Sequence, residues 1–457
     1  MSSSSISVLF ARGARRVTGS NFLIEAKNGD RTTRLLIDCG LTQGERYCES
    51  VNREKFSYDP ATVDAVFFTH AHEDHIGLFP KLVKDGFKGN AYATAPTKAL
   101  MPIMLEDSLN IIAEEAKRCG DDAPYNTEDI RAATGLVSET DYHKKIELNS
   151  DVSVTLYNAG HIIGSASVAI DVFEKRILFT GDLGRSPAIL VPERETPKGV
   201  DYLFMESVYG DRVHESIEES TRILLTAVDD VRRKKGVLLI PAFSLERTQI
   251  ILAALDKAIS SGRLPPIDVF LDSPLAAKVT EIYERYPEFL RSDVRARMKR
   301  GDDPFSFATL TITRDMEGSR AVEKSSEPKI IIAGAGMSHG GRIRFHEARY
   351  LPEKTTTLLI SGYQVPGSLG RRLKDGARTV SIDGASVQVR ADVKALDGFS
   401  AHADRNDLMS YVEAVAPKKV FVILGETTSA ASIAQRIQGF LDIPVDVPRE
   451  GERLELF

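Results

Sequence analysis

The sequence predicts an α/β protein, on three observations. Short apolar runs recur along the chain, and several end in a residue able to bind a metal or move a proton. From about residue 215, strand-like runs alternate with helix-like segments. After about residue 393 the chain returns to strand ends that carry His, Asp or Glu. Strand–helix alternation is the pattern of a parallel sheet. Functional groups at successive strand ends sit where loops can meet on one sheet edge.

Taken in order, residues 6–26 and 33–38 read as strands with Gly, Asn and Asp turns between them, the second ending in Asp38-Cys39-Gly40. Val63–Thr69 is a short apolar run, read as a buried strand. Residues 96–119 read as a helix with a charged face of Glu106, Asp107, Glu114, Glu115 and Lys117. Three strands then lead into polar residues: Val152–Leu156 toward Gly160-His161, Arg176–Thr180 into Gly181-Asp182, and Leu203–Met205 into Glu206. In the middle of the chain, helices over 216–233 and 245–260 alternate with strands at 236–240, 267–271, 330–333 and 356–360. The last strands, 393–396 and 420–424, precede Gly398–Asp404 and Gly425-Glu426. There are no repeats and no low-complexity linker.

A chain of 457 residues suggests two or three domains, or one domain with a large insert. Its 42% hydrophobic content is ordinary for a globular protein. Cys39, Cys48 and Cys119 are an odd, sparse set without C-x-x-C spacing. They read as buried thiols in a reducing cytoplasm. The first residues lack a basic n-region, so no signal peptide is expected, and no stretch has the length of a membrane span. Net charge is −6, yet residues 208–382 hold 28 Lys and Arg against 23 Asp and Glu. A basic segment facing an acid-rich body would suit a polyanion, although solvated helix faces would give the same small excess.

The densest signal is His70-x-His72-x-Asp74-His75. Four ligand-type residues in one six-residue window point to a metal site, and imidazole with carboxylate suits zinc. Alternate residues of extended backbone point the same way, so His70 and His72 can share one ion. Asp74 and His75 then turn toward a second. His161 and Asp182 complete the set, each beside a glycine that permits close approach. His70, His72 and His161 would hold one zinc, Asp74 and His75 the other, and Asp182 would bridge them. Two ions about 3.5–4 Å apart suit an in-line phosphoryl displacement by activated water. Asp38, at a strand end, is expected to accept a hydrogen bond from a liganding histidine.

These residues resemble the motifs of the metallo-β-lactamase superfamily. Further stretches resemble its β-CASP branch of nucleic-acid-processing nucleases: Val17–Ser20, Glu206–Gly210, Pro241–Ser244 with Arg247–Gln249, Asp272-Ser273-Pro274, Gly336-Met337 with Gly340–Arg342, Gly362–Gln364 with Gly367–Arg371, and Phe399–Asp404. They span nearly the whole chain in the family's order. The likeness is strongest to bacterial and archaeal relatives of the endonuclease subunit of the pre-mRNA cleavage and polyadenylation factor. The resemblance implies a four-layer αββα body, residues 1–207 and 383–457, interrupted by a parallel-sheet β-CASP domain over 208–382. It places the active site in the cleft between the two. Glu206 and His402 match two of the branch's added motifs. His402 is suited to protonate the leaving oxygen or stabilise phosphate charge, and Glu206 to orient it. Asp74 is the third residue assigned to catalysis.

Position 424 departs from the RNA-processing pattern, which has His-Gly-Glu where this chain has Leu424-Gly425-Glu426. Leucine cannot bind a metal, and DNA-processing members carry an apolar residue there. The second zinc is therefore expected to be the weaker, and Leu424→His is expected to restore a ligand. Substrate contacts are assigned to Ser338 and Arg342 in a glycine-rich loop, to Ser400, and to Arg371. The expected function is zinc-dependent, endonucleolytic hydrolysis of single-stranded RNA in the cytoplasm, with 5′-exonuclease action open. The alternatives are a DNA nuclease, or an RNA-binding protein with an impaired second metal site. No membrane partner is expected, and a homodimer is left open.

Overall fold

The computed structural model describes residues 4–44, 50–365 and 367–457. They form two compact units, Met1–Val213 with His402–Phe457, and His214–Ala401. Among the described residues no helix is long and apolar enough to cross a membrane.

The first unit contains two seven-stranded sheets. One runs in the order Arg453–Glu455, Ser4–Arg12, Asn21–Asn28, Arg31–Ile37, Ala65–Phe67, Asn90–Ala93, Val137–Glu139. The other runs Val445–Asp446, Lys419–Val422, Tyr202–Met205, Lys175–Phe179, Ala166–Val172, Val152–Asn158, Ile146–Glu147. Alternate residues of each sheet share one core: Ile6, Val8, Phe10, Phe22 and Ile24 from the first, Val154, Leu156, Val168, Ile170 and Phe179 from the second. Period-two alternation makes this possible, because it puts one apolar face on each sheet toward the other. Phe179, Phe204 and Phe421 sit in register on three neighbouring strands. Their rings stack at 4.3 and 4.6 Å, which adds roughly 0.5–1.5 kcal/mol per pair beyond burial. The outer face of the second sheet is covered by helices Arg405–Val415 and Thr427–Leu441 through Leu408, Val412, Ile433 and Ile437. The sequence reading missed both helices, although Asp404 and Asp407 form a capping box readable as D-x-x-D.

The second unit is built on six parallel strands in the order Leu310–Ile312, Asp268–Leu271, Lys329–Ala333, Val237–Pro241, Thr357–Ile360, Asp392–Ala395. Val237–Pro241 and Lys329–Ala333 are buried throughout, as continuous apolar runs in a parallel sheet should be. The strand-and-helix alternation expected from residue 215 onward is present. A small hairpin, Thr379–Ile382 with Ala385–Gln388, was not anticipated.

At the C-terminal ends of these strands Asp272 is fully buried. It accepts hydrogen bonds from Ser319 Oγ at 2.5 Å, Arg342 Nη1 at 2.6 Å, His346 Nε2 at 2.7 Å and the Thr313 hydroxyl. Burial opposes ionisation, but these four donors outweigh it and hold the carboxyl well below its ordinary range. Because the folded value is depressed, the contribution is complete above the unfolded carboxylate pKa of about 4. It is lost as pH falls through the folded value. Asp272→Asn should lower unfolding stability by about 3–5 kcal/mol at neutral pH, the usual cost of breaking a buried charged pair. Urea titrations at neutral pH and at pH 2–3 check this: the difference from the parent chain should shrink on the acid side.

Cys39 is a buried free thiol, and burial pushes it far up, so it is inert. Cys119, at the end of helix Ala95–Arg118, is half-buried and disulfide-bonded, which corrects the expectation of a buried thiol there. Cys48 lies outside the described residues.

Candidate metal centre

His70 lies just beyond strand Ala65–Phe67. His72 remains extended and forms the N-cap of a short helix, Glu73–Ile76. His72 is extended, but the backbone bends at Ala71 and His72, so the pair does not lie on a straight strand as expected; the helix that turns Asp74 and His75 was not foreseen. Gly40 fixes this turn against the preceding strand end. A Cβ there would lie 1.6 Å from Asp74 O, so only glycine lets Cys39 N–H and Leu41 N–H reach His75 O and Glu73 O at 2.8 and 3.0 Å.

Asp38 is held in a left-handed conformation, φ 58°. Its carboxylate accepts from Thr69 N–H at 2.8 Å, Thr69 Oγ and Ser20 Oγ at 2.9 Å, and His75 Nδ1 at 2.7 Å. Placing the proton on His75 Nδ1 leaves Nε2 as a lone pair. That Nε2 is buried without a hydrogen-bond partner. It faces Asp182 Oδ1 at 3.5 Å and Asp74 Oδ2 at 3.9 Å. Thr69 Oγ, already donating to Asp38, accepts from His70 Nδ1 at 3.1 Å, so His70 Nε2 is likewise left bare.

His70 Nε2, His72 Nδ1, His161 Nε2 and Asp182 Oδ2 converge. His72 Nδ1 lies 3.0 Å from His70 Nε2 and 3.3 Å from His161 Nε2. Asp182 Oδ2 lies 3.5 and 3.7 Å from His70 and His161 Nε2. Ligands about 2.0–2.2 Å from a tetrahedral zinc stand roughly 3.3–3.6 Å apart. The four atoms thus have the spacing of a ligand set, and the bare Nε2 of His75 gives a second place for a cation. A further set comprises Asp182, Glu206 and His402. His402 Nδ1 is 3.6 Å from Glu206 Oε1 and 3.8 Å from Asp182 Oδ2.

The protonation states of His70 and His72 suit a metal. His75 is raised well above its ordinary value: burial opposes the charged ring, but Asp182, Asp38 and Asp74 outweigh it, so a cation there would have to displace a proton. Burial pushes His70 well down and His72 to about 3, so both imidazoles are neutral at pH 7, the ligating form. Burial opposes ionisation of Asp182, but His75, His70 and His402 outweigh it and keep the carboxylate charged. Burial lifts Asp74 to about 6 against the pull of His75. Burial also works against the charged form of His402, but Glu206 and Asp182 raise it overall.

Residues 14–242 match the model of the metallo-beta-lactamase superfamily. Residues 248–373 match the Beta-Casp domain, and 386–448 a Zn-dependent metallo-hydrolase RNA specificity domain. The chain belongs to the metallo-β-lactamase superfamily, in its β-CASP branch. It is a metal-dependent hydrolase of the nuclease type. Ribonuclease TTHA0252 of Thermus thermophilus is 36% identical over 90% of this chain and 91% of its own. An RNase J-like protein of Methanocaldococcus jannaschii is 30% identical over 98% and 99%. Transcription termination factor FttA of Methanosarcina mazei is 29% identical over 94% of this chain and 68% of its own. A solved structure of a protein of unknown function from Enterococcus faecalis V583 shares the fold, with TM-score 0.59, 16% identity and coverage of 99% and 100%.

Within this β-CASP hydrolase Glu206 is fully buried. It accepts from Leu183 N–H at 2.6 Å and Val208 N–H at 3.2 Å, so it ties the Asp182 loop to its own strand end. The Leu424 side chain is buried in the core shared by the two sheets, beside Gly13 and Phe22. Its φ of 45° is rare for leucine. Leu424→His should raise bound zinc if the new imidazole reaches a metal, and should otherwise lower stability by about 1–3 kcal/mol, the cost of an unsatisfied buried polar group. Metal content and melting temperature of one preparation decide between the two.

The four expected substrate contacts belong to the second unit. Ser338 is fully buried and donates to Glu347 Oε1 at 2.5 Å. Arg342 is engaged with Asp272. Arg371 pairs with Asp375 at 2.9 Å on the surface, and Ser400 is buried. Sequence reasoning missed Thr69, which links Asp38, His70 and His75. It also missed Tyr209, whose ring lies 5.8 Å from that of His402. Thr69 precedes the histidine run and Tyr209 lies within Glu206–Gly210, yet nothing in their own residue type marks a role.

Proposed function

We propose that this protein is a zinc-dependent endoribonuclease that cleaves single-stranded RNA. The convergence of His70 Nε2, His72 Nδ1, His161 Nε2 and Asp182 Oδ2 beside His402 carries the proposal. RNA as substrate is supported by the match of residues 386–448 to an RNA specificity domain, and by the name of the Thermus relative. Two zinc ions are proposed, one held by His70, His72, His161 and Asp182, the other by His75, Asp74 and Asp182. Bound zinc would supply Lewis acidity and an activated water near neutral pH.

The chain's own residues do the rest. Asp38 fixes the His75 tautomer and Thr69 that of His70, so both present lone pairs once His75 has lost the proton a cation would displace. Asp182 stays ionised and spans both positions. Glu206 Oε1 lies 3.6 Å from His402 Nδ1 and favours the charged ring, and Nε2 would deliver a proton to the departing oxygen. The basic excess of residues 208–382 favours a phosphodiester backbone over neutral substrates. The cytoplasm is the proposed compartment, on the likeness to the Thermus ribonuclease and not on the cysteines, since Cys119 is disulfide-bonded.

A DNA nuclease is the second reading, favoured by the apolar residue at 424. Matched RNA and DNA oligomers in one assay separate the two. The expected result is RNA cleavage abolished by a chelator, with DNA cut at least about tenfold more slowly, a gap of about 1.4 kcal/mol in barrier. Cleavage of DNA alone would replace the first reading with the second, and cleavage of neither would remove both.

A further inference from the structure

We propose that Arg194 and Asp407 form a positioning clamp, which holds the loop bearing Asp182 against the segment bearing His402. The inference deepens the nuclease reading and rests on it for the reacting groups. Segment 192–195 runs past three functional loops of the first unit. Asn158 Nδ2 donates to Pro192 O at 3.2 Å and Glu193 O at 2.9 Å, and Asn158 N–H donates to Glu195 Oε2 at 2.8 Å. These bonds tie the segment to the strand end that leads to His161. A Cβ on Gly160 would lie 2.7 Å from Arg194 N, so the two backbones are in contact.

The Arg194 side chain then reaches the other two loops. Nη1 donates to Gly184 O at 2.6 Å. Nη2 donates to Asp407 Oδ1 at 3.0 Å and Asp407 O at 3.2 Å. The Asp407 carboxylate also accepts from Ser186 N–H at 3.2 Å and Asp404 N–H at 3.3 Å. One carboxylate thus joins the end of the Asp182 loop to the first turn of the helix that follows His402. Main-chain contacts complete the junction: Gly184 bridges His402 as an antiparallel pair, and Ala403 N–H donates to Leu183 O at 2.7 Å.

Location separates a positioning role from simple stabilisation. Gly184 lies two residues after Asp182, Gly160 one before His161, and Asp407 five after His402. Side-chain exposure is 9% for Arg194 and 11% for Asp407, so water competes little for the pair. A guanidinium suits the task because its fixed fork can hold a carbonyl and a carboxylate together; an ammonium is a single point charge. Buried ion pairs are weak evidence of stability in themselves, whereas groups that orient ligands usually change affinity or rate by about 10–100-fold.

The test uses the full chain with zinc, and the variants Arg194→Ala, Arg194→Lys and Asp407→Asn. Three quantities are read: kcat and KM on a short single-stranded RNA, zinc affinity by competition with a chromophoric chelator, and melting temperature. Expected in Arg194→Ala is a fall in kcat of about 10–100-fold, with KM changed less than about threefold because substrate binding is untouched. Zinc affinity should also weaken, and Arg194→Lys should recover only part of either loss. If Arg194→Ala does not fold, Asp407→Asn must show the same split between kcat and KM. A lowered melting temperature with kcat and zinc affinity unchanged in the folded variants overturns the clamp. If the parent chain cleaves no RNA, the nuclease reading fails. The clamp is then judged on zinc affinity, where an unchanged value overturns it and a weakened one sustains it.

Discussion

Asp182→Ala should reduce phosphodiester cleavage by roughly 10³–10⁴-fold or more, since several kcal/mol of transition-state charge stabilisation pass through the metal site it completes. It should also lower bound zinc. Its Oδ2 stands among the three imidazole nitrogens, and its Oδ1 faces the bare Nε2 of His75. Removing it leaves both positions short of a negative ligand. Asp182→Asn keeps the shape but not the charge, so it should retain more of the fold while losing most of the activity. Zinc per chain by elemental analysis, with single-turnover RNA cleavage on the same preparations, checks the pair. Two retained zincs with near-normal cleavage in Asp182→Ala would remove Asp182 from the site.

His402→Ala comes next in size, with a loss of roughly 10²–10⁴-fold, the span for lost acid catalysis, and unchanged zinc. His402 is 23% exposed at its side chain while its partner Glu206 is fully enclosed, so one edge of the ring is accessible. Glu206 and Asp182 raise its proton affinity above that of an ordinary histidine, which suits an acid near neutral pH. The defect should depend on the leaving group. An activated aryl phosphodiester departs without a proton, and there the variant should stay within about tenfold of the parent. An equal loss on both substrates would make His402 a structural or electrostatic element instead of the acid.

The ligand set was legible in the sequence because its chemistry is local. His70, His72, Asp74 and His75 lie in one window, so the chain need not fold far to bring them together. His161, Asp182 and Glu206 were found because glycines or apolar runs mark strand ends. The parallel sheet of the second unit was readable for the same reason, since buried strands and amphipathic helices differ in period. Helices Arg405–Val415 and Thr427–Leu441 were missed although Leu408, Tyr411, Val412 and Val415, and Ala430, Ile433 and Ile437, recur at helical spacing; the strand ends beside them drew the reading instead.

The sequence by itself determined which residue types could bind metal, how many strand ends carry them, and that an apolar residue stands at 424. Only the tertiary structure decided what each of those residues faces. Leu424 sits in a left-handed turn whose side chain enters the shared core, and no periodicity could show that. Ser338 has the residue type of a phosphate ligand, yet its hydroxyl is spent on Glu347 in the interior. Arg194 and Asp407 are 213 positions apart and look like ordinary surface charges in the sequence. They meet because the loop after one sheet strand and the helix after another close on the same edge. Residue type fixes what a group can do; distance and direction, set by long-range packing, fix what it does.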